Sequence, residues 1–226
     1  MTATISPRSD VQDVQYDAFL SYSHAADGQL APALQNAVQR FATPWYRLRS
    51  LHLFRDQTGL SASPGLWAAI EAALSRAAWF VLFASPDAAA SVWVKQEVSW
   101  WLDNRDNRRL LIVVTDGTFE WDAGDGPGRA RGSAVPEALA EALREEPRWI
   151  DLRWARSADH VNPRDPRFRE AAADLAATLR GVPKDSLIGD DVRQHRRGRR
   201  LAIGTIAVLT VLALVVVTLA VVAARR

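Results

Sequence analysis

Across 226 residues the chain is 48% hydrophobic, enough for a sizeable core, and it has no cysteine, which excludes a disulfide framework and thiolate chemistry. Its four histidines (His24, His52, His160 and His195) are scattered without metal-ligand spacing. The formal charge of +2 is uneven: residues 1–192 hold all 26 acids and only 21 of the 28 Lys+Arg, a net −5, so no nucleic-acid partner is expected of the folded part.

Residues 1–15 form a polar tail with no apolar run, so they are not a signal peptide. YDAFLSYS (16–23) reads as a strand ending in small polar residues, and Leu30, Leu34, Val38 and Phe41 then mark an amphipathic helix. LHLFRD (51–56) is a second strand, followed by the loop QTGLSASPG. Pro64 is placed to start a helix carrying Trp67, Ile70, Leu74 and Ala77. WFVLFAS (79–85) is a continuous apolar run, as expected of a strand buried on both faces.

SVWVKQEVSWWL (91–102) reads as one helix with two stripes. Val94, Val98, Trp101 and Leu102 make a core stripe, while Trp93, Glu97 and Trp100 place a carboxylate between two indoles. RLLIVVTDG (109–117) is another buried strand, and a Gly- and charge-rich loop over 118–133 leads to a short helix near Pro136 to Leu143. WIDLRWA (149–155) alternates Ile150, Leu152 and Trp154 with Asp151 and Arg153, which suits an edge strand. Phe168, Ala172, Leu175 and Leu179 mark the last helix, closed by Gly181 and Pro183.

Beyond the domain (16–182) lies a basic linker, 183–200, with five arginines in RQHRRGRR. The 24 residues of 201–224 carry no charge and only Thr205, Thr210 and Thr218 as polar groups. At about 1.5 Å per residue they span about 36 Å, enough for a transmembrane helix. Five arginines precede the span and Arg225 and Arg226 follow it, so the domain is expected in the cytosol, with 225–226 on the far side of a single-pass protein. The linker reads as a topology anchor that also touches the lipid bilayer, and the chain reads as the front part of a longer protein.

Five strands alternating with helices imply an α/β fold: a parallel sheet covered on both faces, in the flavodoxin-like order 2-1-3-4-5. Ligands of such sheets bind outside the carboxyl ends of the strands, here Ser21 to His24, Phe54 to Asp56, Ser85 to Asp87 and Asp116 to Phe119. No G-x-G-x-x-G follows the first strand, and no P-loop or G-x-S-x-G elbow is present. A receiver domain would need an aspartate closing the third strand, which ends FASP instead. The glycines of GDGPG (124–128) sit in a loop that no helix follows directly. On spacing alone, Glu97 reads as a solvated residue at the edge of the buried stripe.

Three segments then point to a family. YDAFLSYSHAAD, FRDQTGLSASPGLWAAIEAAL and AAWFVLFASPDAAASVWVKQE resemble, in order and spacing, the signatures of a TIR (Toll/interleukin-1 receptor) domain over roughly Tyr16 to Gly181. In the TIR domains that hydrolyse NAD, the glutamate of W-x-x-x-E is catalytic and faces the ribose bearing nicotinamide. The resemblance makes Glu97 that residue and Trp93 its neighbour one turn earlier. It also implies substrate-binding roles for Trp93, Ser23, His24, Phe54, Arg55, Asp56, Ser61 and Gly65.

Read as residues, Phe54 to Asp56 serve equally as an ordinary strand end, His24 as a surface residue, and Trp100 and Trp101 as core. The resemblance implies NAD as substrate with no cofactor or metal, and activation by homo-oligomeric assembly. It fits bacterial signalling or defence proteins. Two alternatives stay open: a non-catalytic TIR scaffold acting by homotypic association, and an enzyme acting on another nucleotide or nucleoside.

Overall fold

The computed structural model describes residues 15–41, 51–55, 65–123, 128–156 and 162–183. Five short strands build the sheet: β1 (Ala18–Ser21), β2 (Leu53–Arg55), β3 (Phe80–Ala84), β4 (Leu110–Val114) and, after a separate hairpin, β7 (Arg148–Asp151). All neighbours are parallel in the order β2-β1-β3-β4-β7, the 2-1-3-4-5 arrangement expected once the hairpin strands are set aside. β3 and β4 are buried at every position, which explains why FVLFA and LLIVV lack alternation.

Two helical layers cover the sheet. On one face α2 (Leu30–Phe41) and α8 (Pro166–Arg180) pack over Ala18, Leu20, Tyr22, Val81 and Phe83. On the other, α3 (Leu66–Ser75), α5 (Val92–Asn104) and α6 (Glu137–Ala142) pack over Phe19, Leu82, Ile112 and Val114. Because side chains alternate along a strand, the register that sends Phe19 to the α5 side sends Ser21 there too. α8 ends where the sequence predicts, with Gly181 in the left-handed region at φ 63° accepting the role of C-cap.

Two sequence expectations are corrected. The stretch 118–133 is not a plain loop: β5 (Glu120–Asp122) and β6 (Arg129–Arg131) form an antiparallel hairpin, with Trp121 opposite Ala130. Thr118 and Ser133 close its base, each backbone N–H donating to the other's hydroxyl at 3.1 and 3.0 Å. Three residues per strand, four of the six charged, are too few for the period-two pattern to stand out. Residues 124–127 of the GDGPG segment lie outside the described residues.

The strand read over 149–155 stops at Asp151. Leu152 N–H makes a last bond to Val114 O at 2.8 Å, and the Asp151 carboxylate then accepts from Arg153 N–H at 3.0 Å. That turns the chain into α7 (Arg153–Arg156), with Arg167 stacked 4.1 Å over the Trp154 ring. Among the described residues no helix is long and apolar enough to cross a membrane. The predicted span 201–224, its linker beyond Pro183 and the polar tail before Gln15 all lie outside the described residues.

Candidate active site

Two serine caps set the phase of the helix that carries Glu97. Ser85 Oγ accepts from Ala88 N–H at 3.1 Å and opens α4 (Pro86–Ala90). Ser91 Oγ accepts from Val94 N–H at 3.4 Å and opens α5. Starting there, the helix turns Val94, Glu97, Val98 and Trp101 inward, while Trp93 is 45% exposed. The core stripe Val94, Val98 and Trp101 stands as read, but Glu97 joins this buried row while Trp93 stays at its outer edge. Trp100 is half-buried, its indole N–H donating to Glu71 Oε1 at 3.1 Å, and Trp101 is core.

Glu97 is only 5% exposed, so the reading of a solvated carboxylate fails. Ser21, the last residue of β1 and fully buried, donates its hydroxyl to Glu97 Oε2 at 2.5 Å. A buried carboxyl group needs such a hydrogen-bond partner to offset its lost hydration. Ser21 was within the predicted strand-end set but not among the predicted site residues. Its signal was there: counting by two from Phe19 along a strand puts the Ser21 hydroxyl on the α5 face.

The other predicted residues divide between the two faces of the sheet. Ser23 is buried at the start of α1 (His24–Asp27), its carbonyl accepting from Ala26 and Asp27 N–H at 3.2 and 2.8 Å. His24 is exposed and stacks on Tyr22 with ring centroids 4.6 Å apart. Arg55 donates to Gln35 Oε1 at 2.9 Å and Tyr22 Oη at 3.3 Å, which ties it to α2 rather than to the Glu97 face. Phe54 is on the Glu97 face but packs on Phe19 and Tyr16, with centroids 5.3 and 5.1 Å apart, as a half-buried core residue. Gly65 is exposed and left-handed, φ 99°, at the start of α3. Asp56 and Ser61 lie outside the described residues.

A second buried acid, unremarked in the sequence, stands after β1. Asp27 is fully buried, and neither carboxylate oxygen has a hydrogen-bond partner among the described residues. Burial pushes its pKa up to about 6, while the Thr115 hydroxyl and the Arg156 charge hold it down and Asp87 and Asp116 add to the rise. The Thr115 hydroxyl itself is directed to Ala84 O at 3.3 Å, so its effect on Asp27 is one of proximity. Arg156 pairs with Asp87 at 3.2 Å and Asp116 at 3.0 Å, joining the ends of β3, β4 and β7 beside it. Among the described residues no group of three His, Cys, Asp or Glu could hold a metal ion.

A family model for the TIR domain matches residues 18–162. This chain belongs to the TIR domain family. It is 51% identical over 204 residues to the NAD(+) hydrolase ApTIR of an Actinoplanes species. That alignment covers 90% of this chain but 28% of the relative, so the chain spans little more than a quarter of that protein's length. The TIR domains in a structure of the activated Roq1 resistosome directly recognizing the pathogen effector XopQ are 18% identical. That match covers 80% of this chain and 99% of the other at a TM-score of 0.36, a likeness too distant to argue from.

Proposed function

We propose that this TIR domain cleaves the nicotinamide–ribose bond of NAD, with Glu97 as the catalytic carboxylate. The observation that carries the reading is the buried Glu97–Ser21 pair, at 2.5 Å, on the glutamate of a W-x-x-x-E helix. The 51% identity to a named NAD(+) hydrolase supports the substrate.

Nicotinamide leaves as a neutral base, and the ribose carbon it leaves becomes oxocarbenium-like. A fixed carboxylate beside that carbon and the ribose hydroxyls stabilises the developing charge more than it stabilises the ground state. The principle is that of glycoside hydrolysis. Water then adds to the cation and releases a proton, giving ADP-ribose; attack by the adenine ring instead gives a cyclic product. Trp93, at the rim of the same helix, is the proposed wall for the base and ribose.

We place the domain in the cytosol, tethered by 201–224 and activated by self-assembly, in signalling or defence. Uncharged 201–224, with five arginines ahead of it, supports the tether. The scaffold alternative draws on Val92 and Trp93, which are 75% and 45% exposed at the start of α5 and suit homotypic contact. One assay separates them: NAD consumption by the 226-residue chain, at high concentration and on lipid vesicles, for wild type and Glu97→Gln. Turnover that depends on Glu97 is expected. Assembly without turnover would favour the scaffold.

A further inference from the structure

Among the described residues, Ser21 is the one polar side chain on its stretch of the sheet face. Around it on the α5 side stand Phe19, Leu82, Ile112 and Val114, all buried and apolar. A hydroxyl there must find an acceptor or cost the fold a desolvated donor. Its acceptor is Glu97 Oε2, 76 positions away in sequence and on a different element.

The bond fixes the carboxylate at a point the helix alone would not. A glutamate side chain has three rotatable bonds, and stabilising a cation demands that its oxygens be held within a fraction of an ångström. With Oε2 committed to β1, one oxygen of the carboxylate is held by the sheet. The constraint acts on the reacting group through Glu97, Ser21 itself being buried.

Resting on the NAD-cleavage reading of the site, we infer that Ser21 is the positioning residue of Glu97. It sets the orientation on which the rate of bond cleavage depends.

Steady-state NAD cleavage by the 226-residue chain on vesicles tests this. A hydrogen bond to a charged group corresponds to about 10–100-fold in rate. Ser21→Ala should lower kcat by about that factor and leave KM within about twofold, because ground-state binding does not use the bond. Ser21→Thr keeps the hydroxyl and suits a strand, so its kcat should return to within a few-fold of wild type. In a Glu97→Gln background, Ser21→Ala should cost less than about threefold more, since both act through one carboxylate. Thermal midpoints recorded for each variant separate these effects from folding. Should Ser21→Ala not fold, Ser21→Cys, with its weak S–H donor, replaces it and should fall below Ser21→Thr.

Wild-type kcat in Ser21→Ala alongside a dead Glu97→Gln would overturn this inference alone. So would a Thr variant no better than Ala, or full additivity in the double variant. Full activity in Glu97→Gln, or a wild-type chain that leaves NAD intact, would remove the functional reading and this inference with it.

Discussion

Two buried carboxyls follow from the end of β1, and they are held in opposite ways. Glu97 reaches Ser21 from α5 and receives a 2.5 Å hydroxyl bond; Asp27, on α1, has no hydrogen-bond partner among the described residues and is pushed up to about 6. Glu97 lies in the inward row of α5 with Val94, Val98 and Trp101, whereas Asp27 sits beside an Arg156–Asp87–Asp116 bridge. Burial by itself therefore does not decide how a carboxyl is held. What distinguishes them is a hydroxyl donor supplied by another element.

The largest expected effect breaks the comparison on the Glu97 side. Glu97→Gln keeps size and an acceptor oxygen for Ser21 but removes the charge, and NAD cleavage should fall by about 10²–10³. Its thermal midpoint should move by no more than about 1 kcal/mol of stability. Equal rates for variant and wild type would dissolve the distinction drawn between the two carboxyls.

Asp27 should answer in stability. Its folded-state value of about 6 lies above the ordinary 3.8, so the folded chain binds the extra proton more tightly. The stabilisation this supplies is complete below 3.8 and is lost as pH rises through about 6. The difference corresponds to up to about 3 kcal/mol. Asp27→Asn, neutral throughout, should raise the thermal midpoint above about pH 7 and flatten its dependence on pH across that window. An unchanged slope in the Asn variant would assign the pH dependence to other groups.

Arg156→Gln probes the same apex more gently. Its partners Asp87 and Asp116 are half exposed, so the lost pairs should cost about 1 kcal/mol or less. Because the Arg156 charge holds the Asp27 value down, its removal should move the pH midpoint of stability upward. A downward movement would show that Arg156 does not act on Asp27.

Trp93→Ala is the smallest in stability. With 45% of the residue exposed, the change should be within about 1 kcal/mol, against the several expected of a core tryptophan. If Trp93 walls the substrate site, KM for NAD should rise while the midpoint holds. A large loss of stability with unchanged KM would return Trp93 to the core.

Sequence pattern reached far in this chain because its sheet is made of short, wholly apolar runs separated by amphipathic helices. FVLFA and LLIVV can only be interior strands, and the alternation with helices fixes parallel pairing and right-handed crossovers. W-x-x-x-E was likewise legible, because residues four apart share a helix neighbourhood whatever surrounds it. Whether Glu97 faced water or the interior was not: Trp93 and Val94 are adjacent in sequence, and the rotation set by the Ser91 cap decides which one turns inward. The Asp151 side chain that ends the last strand is a local bond no hydrophobic period records. The Ser21–Glu97 pair and the Arg156 bridge belong wholly to tertiary structure. Each joins residues at least 40 positions apart, and such a partner exists only once the sheet order has brought the strand ends together.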